Sequence, residues 1–273
     1  MKRLSRFVLS LLLCFATIGA GVSHAAENVT VNGSTTVLPV AQASAEAFMK
    51  MNPGVNISIS GGGSGNGIKA LIDKSTDIAN ASRFIKDSEV KQAIEKGVYP
   101  VPHRIAIDCI VPIVHPSNPI SGLSIEQMSL IYQGKIANWK EVGGPNMTIV
   151  VVSRDTSSGT YEIWEERILH KQKVTPKAQL QASNGAVNQT VSKNKYAIGY
   201  IGLGYLNSEV KGLKVNGIEA SADTALSGVY PIARPLFMFT NGWPSGLTAK
   251  YINFIVSPKG QEIMKDEGFV PIY

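Results

Sequence analysis

The chain has 273 residues, 44% of them hydrophobic and 17% charged, with 26 Lys and Arg against 20 Asp and Glu and a formal net charge of +6. That length suits one large or two modest domains. The basic residues do not cluster, which excludes a nucleic-acid footprint, and with only two cysteines a disulfide framework is excluded as well.

The first element is a secretory signal. Lys2, Arg3 and Arg6 make a positive start, Phe7 to Ile18 is apolar, and Ser23-His24-Ala25 supplies small residues for cleavage after Ala25. The apolar run is too short to favour a membrane span. Cys14 opens a lipoprotein alternative, which Leu12-Leu13 before it and the apolar residues after it fit poorly. Removing residues 1–25 takes away three of the 26 basic residues and none of the 20 acidic ones, so the mature charge falls to +3. Cys109 is then the sole cysteine. It stands in "RIAIDCIVPIV" and reads as a small core residue rather than a reactive thiol.

Strands and helices then alternate. "NVTVNGS" is a strand rich in β-branched residues, "PVAQASAEAFMKM" a helix with Pro39 at its start, and "VNISIS" a second strand. "KDSEVKQAIEKG" is a helix that ends at Gly97. "SIEQMSLIYQG" carries a capping box, Ser124 to Gln127, and stops at Gly134. "TIVVVS" is a buried strand leading into the helix of "SGTYEIWEERIL", and "KYAIGYIG" is another strand. The alternation predicts an α/β chain with mainly parallel sheets covered by helices. No linker is visible, so a two-domain split has to use strands as its connections.

Three Gly/Ser/Thr-rich stretches each lie between a predicted strand and a predicted helix: Gly33 to Val37, Gly61 to Gly67, and Arg154 to Thr160. A helix N-terminus points unpaired N–H groups outward and carries partial positive charge, glycine admits a ligand close to the backbone, and hydroxyls add short donors. Such a site suits a tetrahedral oxyanion in a crevice at strand ends. Each stretch alone has a plainer reading as a flexible turn or an ordinary cap. "GSGNGIKA" matches G-x-G-x-x-A loosely but follows the second strand, and no acid ends the next one. The phosphate-loop Lys is absent, and Ser64 has Asn66 where a nucleophile elbow needs Gly. The third stretch is the most telling. Capping needs one Ser, whereas Ser157, Ser158 and Thr160 stand beside Arg154, whose fork can bind two oxygens at once. Arg83 in "NASRF" is a second candidate. Two such arginines would contribute roughly 1.5–3 kcal/mol each, against the about 8 kcal/mol that a micromolar dissociation constant requires.

Nothing asks for catalysis. His103, His115 and His170 are scattered, no metal spacing occurs, and Asp108 and Asp155 lack an acid/base mate. No cofactor is implied.

With these residues in view, the chain resembles the phosphate-binding proteins of bacterial phosphate ABC importers, in their shorter-chain branch. The resemblance rests on "GSTTVLPVAQASAEAF", "GGGSGNGIKAL", "LSIEQMSLIYQGKIANWKEVGG", "SRDTSSGTYEIW", "GAVNQTVSKNKYAIGYIGLGY" and "SPKGQEIMKDEGFVPI", in family order over nearly the whole mature chain. It implies that Thr35, Thr36, Val37 and Leu38 offer amide and hydroxyl contacts, and that Ser64 is the family's serine in the Gly-rich turn. Arg154, Ser158, Gly159 and Thr160 would grip the phosphate. Ser82 and Arg83 close the list of ligand candidates, and Arg83 stands where well-known members carry an aspartate that accepts the phosphate proton. That departure puts rejection of sulfate in doubt and leaves Asp155 or a backbone carbonyl as substitute acceptors.

The resemblance also implies a two-lobed periplasmic-binding-protein fold joined by two crossover strands. Lobe one would hold residues 26–107 and 235–273, and lobe two residues 108–234. "DCIVPIV" would cross between them and "RPLFMF" would return. The expected function is extracytoplasmic capture of inorganic phosphate and delivery to membrane permease subunits, by a periplasmic monomer with no reaction of its own. A binder of another tetrahedral oxyanion such as sulfate, or a phosphate-responsive surface sensor, would use the same residues.

Overall fold

The computed structural model describes residues 27–273. The signal sequence, its cleavage point and Cys14 lie outside them. Three parallel strands begin the fold: β1 (Glu27–Gly33) lies between β2 (Val55–Gly61) and β3 (Ile78–Ala81). Helices α1 (Leu38–Met51) and α2 (Ser64–Ile72) connect them, and α3 (Asp87–Glu95) leads on to the long strand β4 (Pro100–Val114). Gly67 explains part of the Gly-rich stretch. A Cβ there would lie 2.5 Å from the Cα of Gly33 and 2.6 Å from the Asn32 carbonyl oxygen, so only glycine lets α2 sit against the end of β1.

The next stretch contains β5 (Gly122–Leu123), α4 (Ile125–Tyr132), β6 (Val150–Arg154), α5 (Gly159–Arg167), β7 (Gln179–Gln181), α6 (Asn184–Ser192) and β8 (Ala197–Gly202). Beyond them come β9 (Lys211–Gly212), β10 (Lys214–Val215), α7 (Ala222–Leu226) and β11 (Ala233–Asn241), and helices α8 (Gly246–Ile255) and α9 (Pro258–Asp266) finish the chain. Strand β6 pairs in parallel with β7 and β8. The capping box of α4 forms as expected: Ser124 Oγ accepts the Gln127 amide at 3.0 Å, and the Gln127 side chain accepts the Ser124 amide at 2.9 Å.

Strand β4 changes partner midway. It runs antiparallel to β11 from Pro100 to Cys109 and antiparallel to β8 from Ile110 to Val114. Strand β11 in turn pairs antiparallel with β3. Each half keeps a parallel set, as expected, and the antiparallel pairings belong to the linking strands: β11 against β3 in the first half, β4 against β8 in the second, and the two against each other, because the chain returns along the path on which it crossed. The apolar clusters follow the same division. One gathers residues 109–232 with Val270, and two others draw on residues 29–106 and 236–269. Cys109 lies fully buried in the first, and burial pushes its thiol up to about 12.

Among the described residues, no helix is long and apolar enough to cross a membrane, and no His/Cys/Asp/Glu group could hold a metal.

Candidate anion-binding site

The carboxyl ends of β1, β2, β3 and β6 lead into the segments that carry the expected residues, and three helix N-termini, those of α1, α2 and α5, follow β1, β2 and β6. This is the crevice position favoured for ligands in open α/β sheets. Capping accounts for few of the hydroxyls. Ser158 caps α5 by accepting the Tyr161 amide at 3.2 Å. No side chain caps α1, so Thr35, Thr36 and Val37 are not there for that purpose, and none caps α2. Ser64, the first residue of α2, instead accepts the Ser82 amide at 3.0 Å, and the two serine hydroxyls lie 3.3 Å apart.

Helix α5 is set in place by aromatic packing. Trp164 stacks on Tyr200 of β8 with centroids 4.2 Å apart and planes within 8°, and Tyr132 leans on both. The Tyr200 hydroxyl also accepts the Arg154 amide at 3.2 Å. A fully buried side chain of this size contributes roughly 1.5–3 kcal/mol, so the start of α5 and the end of β6 are held firmly.

Arg154 is 1% exposed. Its Nε donates to the Gln181 carbonyl at 3.0 Å and its Nη2 to the Ala182 carbonyl at 3.0 Å, while Nη1 is buried with no protein partner. Two neutral carbonyls orient the guanidinium without neutralising it. Burial pulls its pKa down, and the nearby Arg234 charge acts in the same direction. A cation held this way, with one nitrogen unpaired, is arranged for an anion.

Across the crevice the two halves meet on hydroxyls. Thr36 Oγ1 and Thr160 Oγ1 are 3.0 Å apart, and Asn184 Nδ2 donates to the hydroxyls of Thr35 and Thr36 at 3.1 Å each. The Tyr205 hydroxyl donates to the Thr35 carbonyl at 2.6 Å, and the Gly65 amide to the Ser157 carbonyl at 3.0 Å. Thr35, Thr36, Ser64, Ser82, Arg154, Ser158 and Thr160 are all buried.

Arg83 departs from the expectation that it contacts the ligand. Its Nη1 donates to Glu89 at 2.8 Å and to the Phe84 carbonyl at 2.8 Å, and its Nη2 donates to Glu89 at 2.7 Å. Its Nε is 2.9 Å from Glu162, an ion-pair contact that falls outside hydrogen-bonding geometry. Lys86 reaches the same Glu162 oxygen at 2.7 Å. Burial works against the Arg83 charge, but the two glutamates outweigh it and raise its pKa. Arg83 is thus a tie between α5 and the start of α3 whose charge is already balanced. Asp155 is engaged on one side, its Oδ1 accepting both the amide and the hydroxyl of Ser157.

Sequence reasoning missed Arg234, Asn184 and Tyr205, and saw no partner for Asp108. Arg234 donates to Asp108 from Nε at 3.1 Å and from Nη2 at 2.8 Å, both residues being buried. Burial pushes the Asp108 carboxyl up, while the Arg234 charge and the Leu203 amide draw it back. The one signal available was Asp108 inside the apolar run "IAIDCIVPIV" and Arg234 just ahead of the apolar run "PLFMF".

A model of the PBP superfamily domain matches residues 19–259. The phosphate-binding protein PstS of Borreliella burgdorferi is 34% identical over 256 residues, covering 89% of this chain and 90% of that one. PstS of Bacillus subtilis is 30% identical over 254 residues, covering 92% and 83%. Among solved structures, a phosphate ABC transporter substrate-binding protein from Clostridium perfringens with bound phosphate aligns with a TM-score of 0.85 at 36% identity, covering 90% of this chain and all of that one. An ABC-type phosphate transport receptor from Vibrio cholerae aligns at 0.73 with 29% identity, covering 89% of this chain and 99% of that one. The chain belongs to the PBP superfamily and, within it, to the family of the phosphate-binding proteins PstS.

Proposed function

We infer that this protein binds inorganic phosphate between its two lobes and delivers it to an ABC importer. The observation that carries the reading is the buried Arg154, oriented by two carbonyls with Nη1 unpaired, beside a crevice where buried Ser and Thr hydroxyls and three helix N-termini gather. The ligand set is Arg154, Ser158, Gly159 and Thr160 from one lobe and Thr35, Thr36, Val37, Leu38, Ser64 and Ser82 from the other. Residues 26–107 with 235–273 make lobe one and residues 108–234 lobe two, a division supported by the separate apolar clusters. Arg83 acts at the rim, through Glu162, on closure. The protein is secreted, cut after Ala25, works as a periplasmic monomer and presents its closed form to the permease. It has no reaction of its own.

A second reading, binding of another tetrahedral anion such as sulfate, has one observation in its favour: the carboxylates of Asp108, Asp155, Glu89 and Glu162 are each engaged by protein donors. Calorimetry of ligand-stripped protein with phosphate, sulfate and arsenate separates the two. Phosphate binding in the micromolar range or tighter is expected. Heat from sulfate and none from phosphate would transfer the assignment.

A further inference from the structure

Asp108 on β4 and Arg234 on β11 are register partners on the two antiparallel strands that link the lobes, so their side chains stand opposite each other on one face. The pair is out of contact with water, with side chains 0% and 2% exposed. Beyond Asp108, the Arg234 guanidinium reaches one group in each part of the crevice. Its Nη2 lies 3.2 Å from Thr36 Oγ1 and 3.0 Å from Thr160 Oγ1, and its Nη1 donates to the Ser82 carbonyl at 3.1 Å.

These contacts decide which way the hydroxyl protons point. An arginine and an amide NH2 can only donate. Thr36 Oγ1 accepts from Arg234 and from Asn184, so both its lone pairs are occupied and its own hydrogen has to be given away. Thr160 Oγ1, 3.0 Å off, shares with Thr36 the one Nη2 hydrogen of Arg234 not directed at Asp108, and it can take the Thr36 hydrogen. It is then full in turn and can only donate. Asp108 cancels the Arg234 charge, and its other oxygen is taken by the Leu203 amide at 2.9 Å. The pair therefore adds donor polarity to the crevice without adding net charge, which stays with Arg154.

We propose that Arg234, held by Asp108, is the positioning residue of the anion site. It fixes the order of the hydroxyl chain, with Thr36 donating to Thr160 and Thr160 donating to the anion, and it holds the Ser82 carbonyl beside them. One guanidinium on a crossover strand orders a hydroxyl from each lobe, so the chain that ends in the Thr160 donor exists only when the lobes are together. This inference rests on the phosphate reading above.

The test is calorimetric titration of inorganic phosphate into wild-type protein, Arg234→Lys, and Arg234→Lys in a Thr36→Val/Thr160→Val background. Lysine keeps the charge opposite Asp108 but lacks the fork that reaches three acceptors. The single variant should lose at least about tenfold in affinity, roughly 1.4 kcal/mol, with its ligand-free melting temperature near wild type. In the threonine-less background the further loss should be under about twofold, because the residue acts through those hydroxyls. An undiminished affinity in Arg234→Lys, or the same tenfold loss again without the threonines, overturns the proposal. Should Arg234→Lys fail to fold, Asp108→Leu/Arg234→Met removes both buried charges together, a replacement proteins commonly tolerate, and the same pattern of losses is expected of it. A wild type that binds no phosphate overturns the phosphate reading itself, an outcome distinct from a variant that binds as well as wild type.

Discussion

Gly159 faces Ser64 across the crevice so closely that a Cβ at Gly159 would lie 2.5 Å from the Ser64 hydroxyl oxygen. The same methyl would lie 2.9 Å from the Ser82 hydroxyl. The closed arrangement is therefore open only to glycine at this position. Gly159→Ala should fold, since alanine is a better helix former than glycine, but it should hold the lobes apart and lower phosphate affinity by at least about tenfold, roughly 1.4 kcal/mol. Calorimetry measures the loss, and small-angle scattering with and without phosphate reads the closure. Wild-type affinity in this variant would mean that the anion is bound without the approach of α5 to α2.

Arg154→Ala should lose at least about tenfold in phosphate affinity, because the lost group is a charged donor worth roughly 1.5–3 kcal/mol. The ligand-free protein should keep its fold, judged by thermal unfolding. Arg154→Lys should also be weak, since an ammonium cannot hold the Gln181 and Ala182 carbonyls and an anion with the same planar fork. Unchanged affinity in both variants would remove Arg154 from the site.

Phosphate should raise the melting temperature. A ligand at a thousandfold excess over its dissociation constant adds about 4 kcal/mol to the native state. At 1 mM phosphate the shift should be at least several degrees if the dissociation constant is near 1 μM. A shift with another anion but none with phosphate would pass the ligand role to that anion.

Phosphate should be preferred to sulfate, though by less than a carboxylate in the pocket would achieve. A free carboxylate would accept the phosphate proton and repel sulfate. The nearby carboxylates are engaged, while the Ser64 and Ser82 hydroxyls can accept or donate. A hydroxyl that accepts the proton spares an unpaired group worth roughly 1–3 kcal/mol, so a preference of about ten- to a hundredfold is expected, and Ser82→Ala should narrow it. Competition calorimetry decides this, and equal affinity for the two anions in wild type would exclude an acceptor of any kind.

Alkaline pH should destabilise the protein. Burial raises the Cys109 thiol from 9.0 to about 12 and the Tyr205 hydroxyl from 10.0 to about 12. Both groups are neutral in the folded state below those values, so their stabilisation is complete below about pH 9 and is lost as pH climbs toward 12. Melting temperatures should fall steadily from pH 9 to pH 11, and iodoacetamide at pH 8 should label Cys109 only in denaturant. Rapid labelling of native protein would contradict the buried position.

Glutamate 162 is the hinge of the Arg83 question. Glu162→Gln should weaken phosphate binding only modestly, by about 1 kcal/mol or less at low salt, because it loosens the rim and leaves the anion contacts intact. A loss as large as that of Arg154→Ala would put Arg83 or Glu162 in the pocket after all.

The strands and helices were legible because hydrophobic periodicity, Ser124 with Gln127, and Pro39 are local signals. The Arg154 to Thr160 stretch was legible for the same reason: its donors are adjacent in the chain and precede a helix. The parallel sets in each half could also be read from the alternation of elements. The antiparallel linking strands could not, since β4 and β11 meet across more than a hundred residues and their direction follows from the return of the chain. Arg83 shows the opposite limit. Its position marked it as a ligand, but its partners Glu89 and Glu162 come from helices α3 and α5, and the nearer charges won. Asp108, Arg234 and Asn184 each looked solitary in sequence. What the chain determined by itself was the elements and one dense cluster of donors. What only the tertiary structure decided was which charges cancel and which way the hydroxyls point, because both depend on groups brought within about 3 Å from distant segments, where a hydrogen bond is made or lost.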